Sequence, residues 1–260
     1  MSKQELKITA VEYLNTKLFV EGLKRGKHGI RFDLSLDNPA ECARKMKMGL
    51  ADIGLVPVAE IPELNPAFVF GEYCIGASGP VRTVKLFSHK PLQELKSVIL
   101  DPHSRTSVKL LDVLAEKYWK KDLAFILGEN DFEKNSYALD TGVLVIGDKV
   151  FAIENDYAYS YDLAAEWIAF TGSHFVFAAW VSRIDLDNNT IAEFNSILES
   201  GLLQIDNVVA NWELRHKFNH VDIKEYLTKN ISYSFDGKKK RGVESFLKMA
   251  GFTSVSLFYK

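Results

Sequence analysis

The chain has 260 residues, 47% of them hydrophobic, with 32 Lys+Arg against 34 Asp+Glu. That length and apolar content are enough for a large core in one domain or two lobes, and they exclude disorder as the main state. The formal charge of −2 excludes the broad basic face that nucleic acid demands, so no nucleic-acid partner is expected and any anion is caught at a local site.

The N-terminus, MSKQELKITAVEY, lacks the apolar core of a secretory signal, and the apolar runs along the chain are too short to cross a bilayer. A cytoplasmic protein without a membrane partner is expected. Apolar periodicity predicts a strand over 6–10, a helix over 16–24 closed by Gly26, and a strand over 30–36. Asn38-Pro39-Ala40-Glu41 reads as N-cap, N1 proline and capping-box glutamate of a second helix that stops at Gly49. A strand over 53–56 completes β-α-β-α-β, a parallel unit whose ligands sit beyond the carboxyl ends of its strands. Residues 67–88 read as extended, with turns at Gly71, Gly76 and Gly79-Pro80, and mark a crossover between lobes.

A second α/β set follows: strands over 98–100, 124–127 and 143–146, a helix from Ser104, and a helix over 162–170 ended by Thr171-Gly172. HFVFAAWV, 174–181, is a long apolar strand that returns the chain to the first lobe, and the remainder reads as mostly helical, with a capping box at Thr190-Ile191-Ala192-Glu193. The expected division is one discontinuous lobe of 1–87 and 177–260, and a second lobe of 88–176. Fixed-period repeats and glycine-serine tethers are absent from the sequence.

Chemistry concentrates in SVILDPHSRTSVK, 97–109, where a strand runs into a hydroxyl-rich helix start. Ser104, Thr106 and Ser107, the guanidinium of Arg105 and the first backbone N–H groups together suit a small carboxylate or phosphate, although Ser104 also reads as an N-cap and Arg105 as a surface charge. Tyr13 and Asn15 lie where the first strand gives way to a helix; Asn15 or Thr16 is an N-cap, a ligand contact, or both. Ser78 and Ser88 are candidate hydroxyls at the crossover. Asp148, after Ile146-Gly147, closes a turn, joins neighbouring loops or touches ligand, and Asp52 reads as a turn residue.

Cys42 and Cys74 have neither metal-ligand nor CxxC spacing and read as free, buried thiols. His216 and His220, with Glu213 a turn earlier, lack the metalloprotease order and read as a solvated helix face, so no metal is expected. Lys238 to Arg241 reads as a solvated loop. Nucleophile-elbow, P-loop and dinucleotide fingerprints are missing.

Taken together, YLNTK (13–17), GLADIGLVPVAE (49–60), CIGASGPVRTVKLFS (74–88), DPHSRTSVKLL (101–111), IGD (146–148), YDLAAEW (161–167) and TGSHFVFAAW (171–180) resemble the chorismate dehydratase family of the futalosine route to menaquinone. The resemblance implies a two-lobed α/β fold of the type II periplasmic-binding-protein kind, with ligand in the central cleft. It also implies conversion of chorismate to 3-[(1-carboxyvinyl)oxy]benzoate and water without an organic cofactor or metal. On this resemblance Asn15 is reaction-critical, a substrate carboxylate is the base, Ser78 and Ser88 are secondary contacts and His174 is a candidate acid. The family's first motif commonly continues with proline, where this chain has Leu18. Two other readings are a non-catalytic binder of a small carboxylate and the sister enzyme that makes dihydroxynaphthoate.

Overall fold

A computed structural model describes residues 5–25, 29–213, 220–252 and 257–260. The predicted β-α-β-α-β unit forms from β1 (Leu6–Val11), α1 (Lys17–Lys24), β2 (Phe32–Asp37), α2 (Pro39–Lys47) and β3 (Ile53–Pro57), with β2 and β3 both parallel to β1. The chain continues through β4 (Phe68–Ala77), β5 (Val84–Ser88), β6 (Ser97–Leu100), α3 (Thr106–Val113), β7 (Ala124–Leu127), β8 (Thr141–Ile146), α4 (Val150–Ile153), β9 (Tyr159–Asp162) and α5 (Leu163–Thr171). It ends with β10 (Phe175–Ser182), α6 (Asn188–Leu202), α7 (Ile205–Glu213), α8 (Ile223–Glu225), β11 (Ser232–Ser234), α9 (Gly237–Met249) and β12 (Phe258–Tyr259).

Among the described residues the strands make two sheets, one for each lobe. The first runs β11-β4-β10-β3-β1-β2 with β12 on β4, and the second runs β7-β6-β8-β5-β9. β10 is buried along its whole length between β4 and β3, which is why HFVFAAWV carries no polar alternation. The chain passes from the first sheet to the second between Ala77 and Val84. Residues 84–87, expected in the first lobe, pair instead with β8 and β9, since apolar alternation does not say which sheet a strand joins. Asp162 fixes this crossing: its carboxylate caps α5 at Ala164 and Ala165 and accepts from the N–H groups of Val81 and Arg82 at 3.1 and 2.6 Å.

Several local expectations change in three dimensions. Asn38 caps α2 as expected, accepting from Glu41 N–H at 2.9 Å, but the Glu41 carboxylate turns to Arg44 rather than completing the box. Asp187, not Thr190, caps α6, and Glu193 accepts from Ile30 N–H at 3.1 Å. Lys238 to Arg241 is no loop but the start of α9, with Lys239 only 1% exposed and its ammonium 2.5 Å from both Ser232 Oγ and the Ser234 carbonyl. β11 and β12 are too short to show a period of their own; pairing with β4 makes them strands. Gly26 and His216 lie outside the described residues, as does the Glu213 side chain.

Candidate functional site between the lobes

β1 and β3 end at Val11 and Pro57 in the first sheet, and β8 ends at Ile146 in the second. These ends meet at a cavity of about 550 Å³, its open mouth included, where a parallel α/β unit is expected to hold ligand. Val11, Pro57, Ile75, Val84, Ile146 and Phe177 give it apolar walls. Tyr13, Asn15, Ser104, Arg105, Thr106 and Ser107 line it as well, so six of the residues singled out in the sequence come together from two lobes. Arg105 is the one charged residue among the described lining residues.

The 104–107 stretch is built differently from a simple capped helix. α3 starts at Thr106 with Arg105 in the cap position, and Arg105 gives no side-chain cap. Ser104 therefore is not the cap; the residue is 3% exposed and lines the cavity, and its hydroxyl has no hydrogen-bond partner among the described residues. An orphaned buried hydroxyl beside an uncapped helix start is an unmet demand for an acceptor. Thr106, by contrast, is committed to the fold: its hydroxyl donates to the Phe177 carbonyl at 3.0 Å and accepts from Ala59 N–H at 3.3 Å. The Arg105 guanidinium donates to the carbonyls of Pro102 and Ser104 at 3.1 and 2.8 Å and lies 3.5 Å from Glu60, which sets its direction.

The opposite wall is a single 3-10 turn, Leu14–Thr16, between β1 and α1. Asp148, from the loop after β8, accepts from Leu14 N–H with both carboxylate oxygens at 3.2 and 3.1 Å, joining the lobes under Asn15. Gly147 has φ +71, and a Cβ there would meet the Tyr13 ring at about 3.0 Å, so glycine is needed twice over. Asn15 Oδ1 accepts from Thr16 Oγ1 at 3.1 Å, and the Asn15 side chain neighbours Tyr226, whose hydroxyl is 2.8 Å from Thr83 Oγ1. Burial, with Asp148 nearby, pushes the Tyr226 phenol far above its ordinary range despite the Thr83 bond. Burial, with Asp101 and Asp148, does the same to Tyr13. Both phenols stay protonated at neutral pH.

Asp148 itself is outside the cavity lining, and three more expected site residues lie elsewhere. Ser88 is four residues along β5 from Val84, about 13 Å away along an extended strand, and its hydroxyl closes on the Lys90 carbonyl at 2.7 Å. Ser78 and His174 are outside the lining too: Ser78 Oγ sits 3.3 Å from His174 Nδ1 and 3.4 Å from Ser232 Oγ, on the far side of the crossing where Lys239 is buried. Thr83 and Tyr226, the hydroxyl pair beside Asn15, carried no sequence signal beyond an extended stretch and a helical one. His220 Nε2 donates to the Phe151 carbonyl at 3.0 Å. Groups of three or more potential metal ligands are absent among the described residues.

Solved structures with this architecture are numerous. Protein AF1704 from Archaeoglobus fulgidus aligns with a TM-score of 0.73 at 12% identity, covering 97% of this chain and 99% of its own. The Candida albicans CA3427 gene product, described as having the generic periplasmic binding protein fold, aligns at 0.67 and 12% identity over 97% and 92%. A zinc-bound ligand-binding component of an ABC-type import system from Staphylococcus aureus aligns at 0.64 and 11% identity over 98% and 95%. At such identities the likeness speaks for the fold, a two-lobed binding-protein architecture with the cavity at the lobe junction. A family model described as menaquinone biosynthesis matches residues 6–251, nearly the whole chain including both walls of the cavity. The chain belongs to the menaquinone biosynthesis family.

Proposed function

We propose that this protein is a chorismate dehydratase, a hydro-lyase that removes water from chorismate to give 3-[(1-carboxyvinyl)oxy]benzoate. The observation that carries the reading is the cavity's asymmetry: apolar walls, and at one end the orphaned Ser104 hydroxyl beside an uncapped helix start. One substrate carboxylate meets Ser104, Ser107 and the first N–H groups of α3, where the helix dipole and hydroxyl donors favour an anion. Asn15 faces the reacting side and orients the substrate oxygen there.

The described lining residues include no Asp, Glu, His, Lys or Cys, and the two phenols nearby are held protonated. That supports a base supplied by the substrate itself: a chorismate carboxylate takes the C3 proton, the C3–H electrons form the C3–C4 double bond, and the C4 hydroxyl leaves with a proton as water. The new aromatic ring makes the step strongly downhill, so the protein's task is positioning. Tyr13 and Arg105 frame the substrate, and Asp148 holds the Asn15 turn. The two buried thiols suit a reducing cytoplasm, and no helix among the described residues is long and apolar enough to cross a membrane.

Purified protein incubated with chorismate and EDTA is expected to form the carboxyvinyloxybenzoate, followed by chromatography and mass, with Asn15→Ala reducing turnover at least a hundredfold. Chorismate that is bound but unchanged favours a binding-only protein, the role named for several fold relatives. Chorismate that is neither bound nor changed overturns the substrate assignment.

A further inference from the structure

We infer that the outer edge of β7 is a self-association surface that takes a second copy of this chain as an antiparallel strand. β7 is the terminal strand of the second sheet and pairs with β6 on one side. All four of its residues, Ala-Phe-Ile-Leu, are exposed, Ile126 to 49% and Leu127 to 69%. Edge strands are usually protected by charge, proline or a bulge, and Ala124–Leu127 contains no charge and no proline.

The backbone sets the register. Ala124 N–H donates to the Lys96 carbonyl and Gly128 N–H to the Leu100 carbonyl, each at 2.9 Å, so the even-numbered residues face β6. A strand residue directs its N–H and C=O to one side, and Leu123, Phe125 and Leu127 therefore direct theirs outward. A two-fold related copy with Phe125 opposite Phe125 places Leu123 opposite Leu127 and closes a doubly hydrogen-bonded pair at each of these three positions. The same register sets Lys121 opposite Glu129 at both ends. Lys120 and Lys121, with Asp122 after them, precede the strand while Glu129 and Asp131 follow it, and only an antiparallel copy brings the lysines to the acidic end. Among the described residues Lys121 Nζ meets only an exposed backbone carbonyl of Gln93 at 2.7 Å, a contact it exchanges easily. The strand is short, so the dimer is weak and concentration-dependent, and it joins the two second-lobe sheets into one.

Sedimentation velocity from micromolar to submillimolar protein is expected to show a shift from one-chain to two-chain mass. Phe125→Pro removes an N–H that points away from β6 and, by symmetry, two intermolecular bonds, raising the dimer dissociation constant about tenfold. Lys121→Glu weakens the dimer, and Lys121→Glu combined with Glu129→Lys restores it. A one-chain mass throughout the range overturns the inference, as does a dimer indifferent to the charge reversals. Circular dichroism verifies folding of each variant, and the exposed charge pair decides the matter if Phe125→Pro does not fold. The result does not depend on whether chorismate is the substrate.

Discussion

At the scale of single residues, the direction of one amide is the most consequential detail. An asparagine carboxamide presents an acceptor and two donors; Oδ1 of Asn15 is held by Thr16, and the Tyr226 phenol lies beside the side chain. Tyr226→Phe keeps the ring and its edge-on packing against Phe151, at 5.2 Å, and deletes only the hydroxyl. We expect kcat on chorismate to fall about tenfold with KM changed less than about twofold, because positioning is lost while the carboxylate end is intact. Ser104→Ala tests that other end: KM is expected to rise about tenfold, the equivalent of one charge-assisted hydrogen bond, with kcat little altered. Asn15 and Ser104 were legible in the sequence because each sits at a strand-to-helix junction with hydroxyl or amide neighbours. Tyr226 was not, because its partner is made only by the C-terminal segment folding back under the first turn.

At the scale of elements, packing is decided by close approach and by buried charge. α1 crosses α6 with Gly22 against Ile197 and Gly201 against Leu18, and a Cβ on either glycine would collide with backbone carbonyl oxygen. Gly201→Ala is expected to destabilise the protein by about 1–3 kcal/mol, measured by urea unfolding, since two helix backbones must move apart. Asp37, at the end of β2, has its carboxyl pushed up by burial, but hydrogen bonds from Lys45, Thr9 and Ser35, with the Lys45 charge, hold it below its ordinary 3.8. A depressed folded pKa gives stability that is present above pH 3.8 and is lost as pH falls through the lower folded value. Asp37→Asn is therefore expected to lower stability at neutral pH and to shrink the difference from wild type in acid, as read from unfolding midpoints across pH 2–7.

At the scale of the whole molecule, burial decides which chemistry is silent. Cys42 and Cys74 are both fully buried, and burial pushes each thiol up to about 12 against smaller opposing effects of Thr9 and Lys239. Neither is expected to react with iodoacetamide at pH 7.5 in the native protein, while both label in denaturant, as counted by mass. The same burial organises the fold: β10 threads the centre of the first sheet, and the second sheet hangs from it by the crossing at Val81 and Arg82 and by the link from Asp148 to Leu14.

By itself the sequence determined the parallel β-α-β-α-β unit, most of the strands and helices as far as β10, the α2 cap at Asn38 and the two stretches, 13–16 and 104–107, that line the cavity. These follow from period, cap chemistry and glycine placement, which act over a few residues. Only the tertiary structure decided that Val84–Ser88 joins the second sheet, that Ser78, Ser88 and His174 stand away from the cavity, and that Thr106 serves the fold while Ser104 is left open. It also decided that the Thr83 and Tyr226 hydroxyls pair beside Asn15. Those outcomes depend on which strand a segment pairs with and where a hydroxyl finds its partner, contacts between residues distant in the chain that no local pattern encodes.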